Sequence, residues 1–199
     1  MSQSESKYLY VGCGAHRIPG FHHVEINIGK ERKKGRHIPP PEILADITRH
    51  IPLPDGSVKL IFSRATLEHL TYLELINHFL ECYRLLEVDG MVRMTVPDLD
   101  IMVKNYQEQT EDLERAIAES EVSERLPIEN HTDLFISRLL YHDHYYLHNF
   151  DTLKRALNKT GFGNVQRKKP GETLCQELSP QLLQNVKATF QSINVMRHI

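Results

Sequence analysis

The residues best suited to chemistry begin at Gly12 and Gly14, in the run Tyr8-Leu-Tyr-Val-Gly-Cys-Gly14. Two glycines one residue apart let a backbone turn tightly and approach a ligand with no Cβ in the way. Glu25 follows on the next apolar stretch, near Phe21 to Ile28. A carboxylate at the tip of a parallel strand beside such a turn is able to accept both hydrogen bonds of a ribose diol. Asp46 ends a third stretch, Glu42-Ile-Leu-Ala-Asp46, where its oxygen is placed to accept from an adenine amino group. The plainer reading of Asp46 is a turn-starting residue, since Thr48 and Pro52 follow. The spacing argues against dinucleotide binding. That fingerprint is G-x-G-x-x-G with an acid roughly 20 residues on. Here Arg17 holds the third glycine position, and Glu25 comes too soon after Gly14 for a full crossover helix.

A second group lies in Arg64-Ala-Thr-Leu-Glu-His-Leu70, directly after the apolar run Val58–Ser63. Glu68 and His69 are candidates for moving a proton to or from an acceptor. Alternatively they organise the turn before the next helix. A third group is Tyr141-His-Asp-His-Tyr-Tyr-Leu-His-Asn-Phe150. His142, His144 and His148 have spacing compatible with a metal, but no cysteine or fourth ligand accompanies them. The expectation is therefore no metal, with Tyr146 and His148 as substrate-side contacts. Lys30 to His37 is a basic loop followed by three prolines, read as a solvated surface or a contact for an anion.

The elements that must hold these groups follow from periodicity. Tyr8 to Val11 reads as a buried strand. The sequence predicts further strands at 21–28, 42–46, 58–63, 91–96 and 164–168, and a last, antiparallel one at 192–197 at or near an edge. Thr71 and Glu74 are spaced as a capping box, and Leu70 and Leu75 as a hydrophobic staple. The helix they open continues through Ile76, Phe79, Leu80, Tyr83 and Leu86 to a stop at Asp89-Gly90. Asp151 is expected to cap a helix that ends at Gly161. Strand and connection alternate, which implies an α/β, mostly parallel sheet with ligands outside the carboxyl ends of its strands. Residues 98–148 break the rhythm and are too long for a simple connection. They read as a helical cap over the site.

Composition narrows the class. The 199 residues carry 24 basic and 26 acidic side chains, a formal net charge of −2, so no global field invites nucleic acid. One domain spanning 1–199 is expected. There is no apolar run long enough to span a membrane and no signal-peptide core. Cys13, Cys82 and Cys175 are far apart and odd in number, which suggests reduced thiols in a cytoplasm.

The succession Val-Gly-Cys-Gly14, Gly20-Phe, Val24-Glu-Ile, Ala45-Asp-Ile, Pro52-Leu-Pro-Asp-Gly-Ser-Val58 and Leu67-Glu-His-Leu70 resembles the small bacterial class I S-adenosylmethionine-dependent methyltransferases of the type 11 group. Asp89-Gly to Val96-Pro-Asp98, Phe150-Asp to Leu157 and Gly161-Phe162 continue the likeness, which covers most of residues 7–170. The resemblance implies a doubly wound, Rossmann-like, seven-stranded sheet with its last strand antiparallel. It implies S-adenosyl-L-methionine as cofactor. Gly12, Cys13 and Gly14 would pass its methionine part, Glu25 with Ile26 its ribose, Asp46 with Ile47 its adenine, and Arg64 with Ala65 its far side. The class often carries an acid two residues before the first glycine, where this chain has Tyr10. The function implied is methyl transfer to a small molecule or glycan. The contrasting reading is a nucleoside-binding module that has lost catalysis and serves sensing or interaction.

Overall fold

The computed structural model describes residues 7–26, 39–120, 128–140, 144–169, 172 and 190–197. The basic loop, His142, Cys175 and the connection after Pro180 lie outside the described residues.

Seven strands form one sheet: β1 Tyr8–Val11, β2 His22–Glu25, β3 Ile43–Leu44, β4 Val58–Arg64, β5 Leu86–Pro97, β6 Gly163–Lys168 and β7 Phe190–Met196. Their spatial order is β3-β2-β1-β4-β5-β7-β6. All described pairings are parallel except β5 with β7 and β6 with β7. The antiparallel β7 is thus the second strand from an edge, between β5 and β6. Chain order reverses between β1 and β4, so a crevice opens there at the strands' carboxyl ends, where ligands bind in such sheets.

Alternation explains how the strands serve two faces. Leu9 and Val11 join the larger core with Val24, Ile61, Val92, Met94 and Val96. Tyr10 turns the other way, to Cys13, Ile18, Phe21 and Phe62. The larger core is covered by α1 Tyr72–Leu85 and α5 Phe150–Lys159. Helix α1 opens with the expected capping box of Thr71 and Glu74. It buries Leu75, Phe79 and Leu85, each contributing about 1.5–3 kcal/mol of transfer free energy.

Several boundaries differ from those the sequence suggests. Helix α1 stops at Leu85, because Leu86 already pairs with Val58 of β4. Leu60 next pairs with Met91, so residues 87–90 bulge out of the ladder, with Asp89 at φ +62°. Asp89-Gly90 is therefore a bulge within β5, not a helix stop. Leu80 faces outward, because the buried stripe of α1 runs through His78 and Cys82 instead. Asn149, not Asp151, caps α5, its side chain accepting from Thr152 N–H. Strand β3 has two residues and leaves Asp46 beyond its end.

After β5 come α2 Leu99–Glu108, α3 Leu113–Ser120 and α4 His131–Leu140, the helices of the expected cap. Tyr106 and Phe135 stack at 4.8 Å between α2 and α4, and Met102 and Leu134 are buried. The two ends of this insertion meet: Asp98 and His148 form a parallel bridge, and Leu99 N–H donates to His148 C=O.

Candidate functional site

The Gly12–Gly14 loop leaves β1 at the crevice. Gly12 and Gly14 both have positive φ, +63° and +54°. A Cβ on Gly12 would lie 2.2 Å from Thr66 Cγ2, so glycine is required there for space as well as for backbone. Thr66 follows Arg64 and Ala65 at the tip of β4, and its hydroxyl donates to Gly12 C=O at 3.2 Å. The sequence gave no reason to single out Thr66; its contact is across the switch point and leaves no local pattern.

Strand β2 holds the same loop from the other side. His23 and Glu25 are two residues apart and project from one face. Glu25 is 6% exposed. Its Oε2 accepts from Gly14 N–H at 2.8 Å, and its Oε1 from Ile26 N–H at 3.0 Å. His23 Nε2 accepts from Ile18 N–H at 2.8 Å, which places the proton on Nδ1, facing Glu42 Oε2 at 2.8 Å. Burial holds the His23 pKa below its ordinary value despite the opposing pull of Glu42, in keeping with a neutral ring. Arg17 donates to Gly14 C=O at 2.9 Å and also reaches Pro39 C=O. The residue that spoils the dinucleotide fingerprint therefore ties the glycine loop down. Cys13 is buried beside Arg17, and burial pushes its thiol up to about 11, so it stays protonated and inert at neutral pH. Burial likewise takes the Tyr10 phenol up to about 12.

Asp46 behaves as the plainer reading supposed. Its Oδ1 accepts from Thr48 N–H and Thr48 Oγ1, and its Oδ2 faces Arg49 Nε at 3.3 Å. Desolvation pushes its carboxyl up, but these partners outweigh it and the pKa lies below the ordinary value. Ile47 is buried beside it, with its carbonyl accepting from Nδ1 of the buried His78 at 3.0 Å. Ile26, by contrast, is exposed.

On the other side of the crevice, Leu67–His69 is a single 3-10 turn running into Thr71. Glu68 is 1% exposed, and its Oε2 has no hydrogen-bond partner among the described residues. Burial raises its pKa to about 7. The stretch leaving the cap lies across this turn. Tyr145 N–H donates to Glu68 C=O at 2.9 Å, and Tyr146 N–H reaches the same oxygen at 3.3 Å. The Tyr146 ring sits between Tyr72 at 5.8 Å and His148 at 4.8 Å. His69 and His144 meet at 5.2 Å. The fold thus brings Glu68, His69, Tyr146 and His148 together, although the sequence separates them by some eighty positions. His148 is 1% exposed, neither ring nitrogen has a described hydrogen-bond partner, and burial lowers its pKa to about 4.

Buried polar groups outside the sequence-predicted set secure the cap's root. Asp98, fully buried, pairs with Arg167 at 3.1 Å, and Gln191 Nε2 donates to His148 C=O. Asp98 Oδ2 lacks a partner of hydrogen-bond geometry, but that short N–O approach makes the ion pair the better description. A hollow lined by Met102, Tyr106, Leu134 and Phe135 belongs to the cap alone.

Residues 9–94 match the family model for the type 11 Methyltransferase domain. Over that stretch the chain is similar to class I methyltransferases. Solved structures agree on the fold. A SAM-dependent methyltransferase from Archaeoglobus fulgidus is 15% identical, with a TM-score of 0.54 over 96% of this chain and 85% of that one. Haemonchus contortus phosphoethanolamine N-methyltransferase 2, in complex with phosphomonomethylethanolamine and S-adenosylhomocysteine, is 13% identical with a TM-score of 0.54. The likeness covers 96% of this chain but 48% of the Haemonchus one. Geranyl diphosphate C-methyltransferase from Streptomyces coelicolor is 11% identical, with a TM-score of 0.50 over 96% and 73%. No curated protein matches the sequence of this chain. Among the described residues, no helix is long and apolar enough to cross a membrane.

Proposed function

We propose that this chain is an S-adenosyl-L-methionine-dependent methyltransferase acting on a small molecule or glycan. The observation that carries the reading is Glu25: a buried carboxylate at the end of β2, held against the positive-φ Gly12–Gly14 loop at the sheet's switch point. The residues present fit such a cofactor. In this reading the Glu25 carboxylate, whose oxygens can each accept more than one hydrogen bond, takes the two ribose hydroxyls. Gly12, Cys13 and Gly14 pass the methionine part, with backbone and no side chain at the two glycines. Asp46 and Ile47 flank the adenine, Asp46 through the oxygen that faces exposed Arg49. Ile26, Arg64 and Ala65 border the cofactor at the strand tips. Bound there, the cofactor supplies an electrophilic methyl group on a sulfonium.

This chain's own residues then orient the acceptor and handle its proton. Alignment of two reactants is worth about 7–11 kcal/mol where it is near-ideal. Glu68, with its pKa raised to about 7 by burial, is suited to hold or release a proton near neutrality. His69 shares the same turn and is the second acid–base candidate. Tyr146 and His148, on the stretch crossing that turn, contact the acceptor, and residues 98–148 select it.

Calorimetry tests the reading. S-adenosylhomocysteine should bind and NADH should not. Glu25→Ala removes hydrogen bonds to a charged acceptor, each worth about 1.5–3 kcal/mol, so affinity should drop at least tenfold in a folded variant. NADH binding without S-adenosylhomocysteine binding would sink the proposal. Transfer of labelled methyl to candidate acceptors separates an enzyme from a module that only binds.

A further inference from the structure

Where the cap's exit crosses the strand-four turn, three side chains converge from two distant parts of the chain. Glu68, His69 and His144 each bring one ligand atom within 4.8 Å of the other two. The carboxyl among them is almost fully buried, and its Oε2 lacks a hydrogen-bond partner among the described residues. A buried oxygen left so is costly, and it calls for a proton donor or a cation. The link between Glu68 and the cap does not satisfy it, because that link uses the Glu68 backbone carbonyl.

His144 carries a mark of a ligating histidine. Its Nδ1 lies 3.0 Å from Arg138 C=O. A carbonyl only accepts, so Nδ1 holds the proton and Nε2 keeps its lone pair. Metal-binding histidines are oriented in this way by a second hydrogen bond from the other ring nitrogen. The His69 and His144 rings, 5.2 Å apart and tilted by 60°, are not stacked face to face.

We propose that Glu68, His69 and His144 bind one divalent transition-metal ion of the zinc class. Two imidazoles and one carboxylate suit zinc, cobalt or nickel better than calcium or magnesium. Three protein ligands leave a coordination position for water or an acceptor atom. Donors on one tetrahedral zinc sit roughly 3.4 Å apart, given bonds of about 2.0–2.2 Å, so closure needs a shift of about an ångström or so. The sequence draws attention to His142, His144 and His148 as a metal spacing, whereas two of the three proposed ligands come from the strand-four turn. The proposal gives Glu68 and His69 a ligand role in place of the proton-handling role above, and its test reads metal and not methyl transfer, so either reading can fail without the other.

The test uses the full chain without a histidine tag, stripped by chelator and titrated with cobalt(II) alone. One equivalent should bind and give a visible absorption band, which one equivalent of zinc should abolish. His69→Ala, His144→Ala and Glu68→Gln should each weaken binding at least tenfold. His50→Ala, at an exposed histidine of α1's neighbouring loop, should not. The chain has 12 histidines, so that control separates the site from adventitious binding. If Glu68→Gln fails to fold, His144→Ala, at a partly exposed position, decides. Less than stoichiometric cobalt in the wild type, or equal binding by the His144→Ala and His50→Ala variants, overturns the proposal.

Discussion

His148 sets a pH dependence that belongs to one side chain. In the folded chain its imidazole resists protonation until about pH 4, because burial disfavours the cation. In an unfolded chain the ordinary value is about 6.5. Between those values the unfolded state binds more protons, so stability rises with pH. The stabilisation is complete above about 6.5 and is lost as pH falls to about 4, in total about 3 kcal/mol. Comparing denaturant unfolding of wild type and His148→Asn at pH 4 to 7 should show a shallower slope in the variant; identical slopes would contradict the assignment. At this scale the sequence was informative about types and silent about partners. Gly12, Gly14, Glu25, Glu68 and His148 could be picked out by spacing. That Glu25 grips Gly14, that Thr66 fills the space above Gly12, and that Glu68 meets the cap could not, because those contacts depend on how separate strands come together.

Among the elements, the glycine loop shows how much a short segment owes to its neighbours. It makes no regular structure of its own. Glu25, His23, Arg17 and Thr66 fasten it from β2, from within and from β4. Gly12→Ala would force a non-glycine residue to positive φ, at about 1–2 kcal/mol, and press its methyl into Thr66. The expected result is a melting temperature several degrees lower together with loss of S-adenosylhomocysteine binding. An unchanged melting temperature would show that the loop relaxes freely. Strand positions were readable because alternation and β-branched runs are local signals. The ends of α1 and β5 were not, since the pairing of Leu86 with Val58 is a tertiary event that overrides the Asp89-Gly90 signal. Arg93 was also missed. It is fully buried on β5 and donates to Asn194 at 2.8 Å, its register partner on β7. A charge at an inward position is invisible to a pattern that scores it as polar.

For the whole molecule, the switch point between β1 and β4 puts the cofactor candidates on one side of a crevice, and the cap's exit puts the acceptor candidates on the other. A mostly parallel sheet of seven strands with the last one antiparallel followed from the alternation of strand and connection together with the family likeness. That helices follow β5 was legible from the length of the segment, but their docking was not, because amphipathic helices name a face and not a destination.

The bridge between Asp98 and His148 has a consequence for how such a chain could diversify. Departure and return points that touch make everything between them a detachable cassette: the sheet closes whether the excursion is long, short or exchanged. Among the described residues, none of 99–147 contributes to the larger core, and loop-closure entropy grows only slowly with loop length. Replacing 99–147 by a short glycine–serine link should therefore leave a protein that unfolds cooperatively and still takes up S-adenosylhomocysteine, measured by calorimetry, while losing its acceptor. A variant that no longer folds would show that the cassette is part of the frame. If it does fold, grafting another excursion onto the same doorposts becomes a route to new acceptors on an unchanged engine.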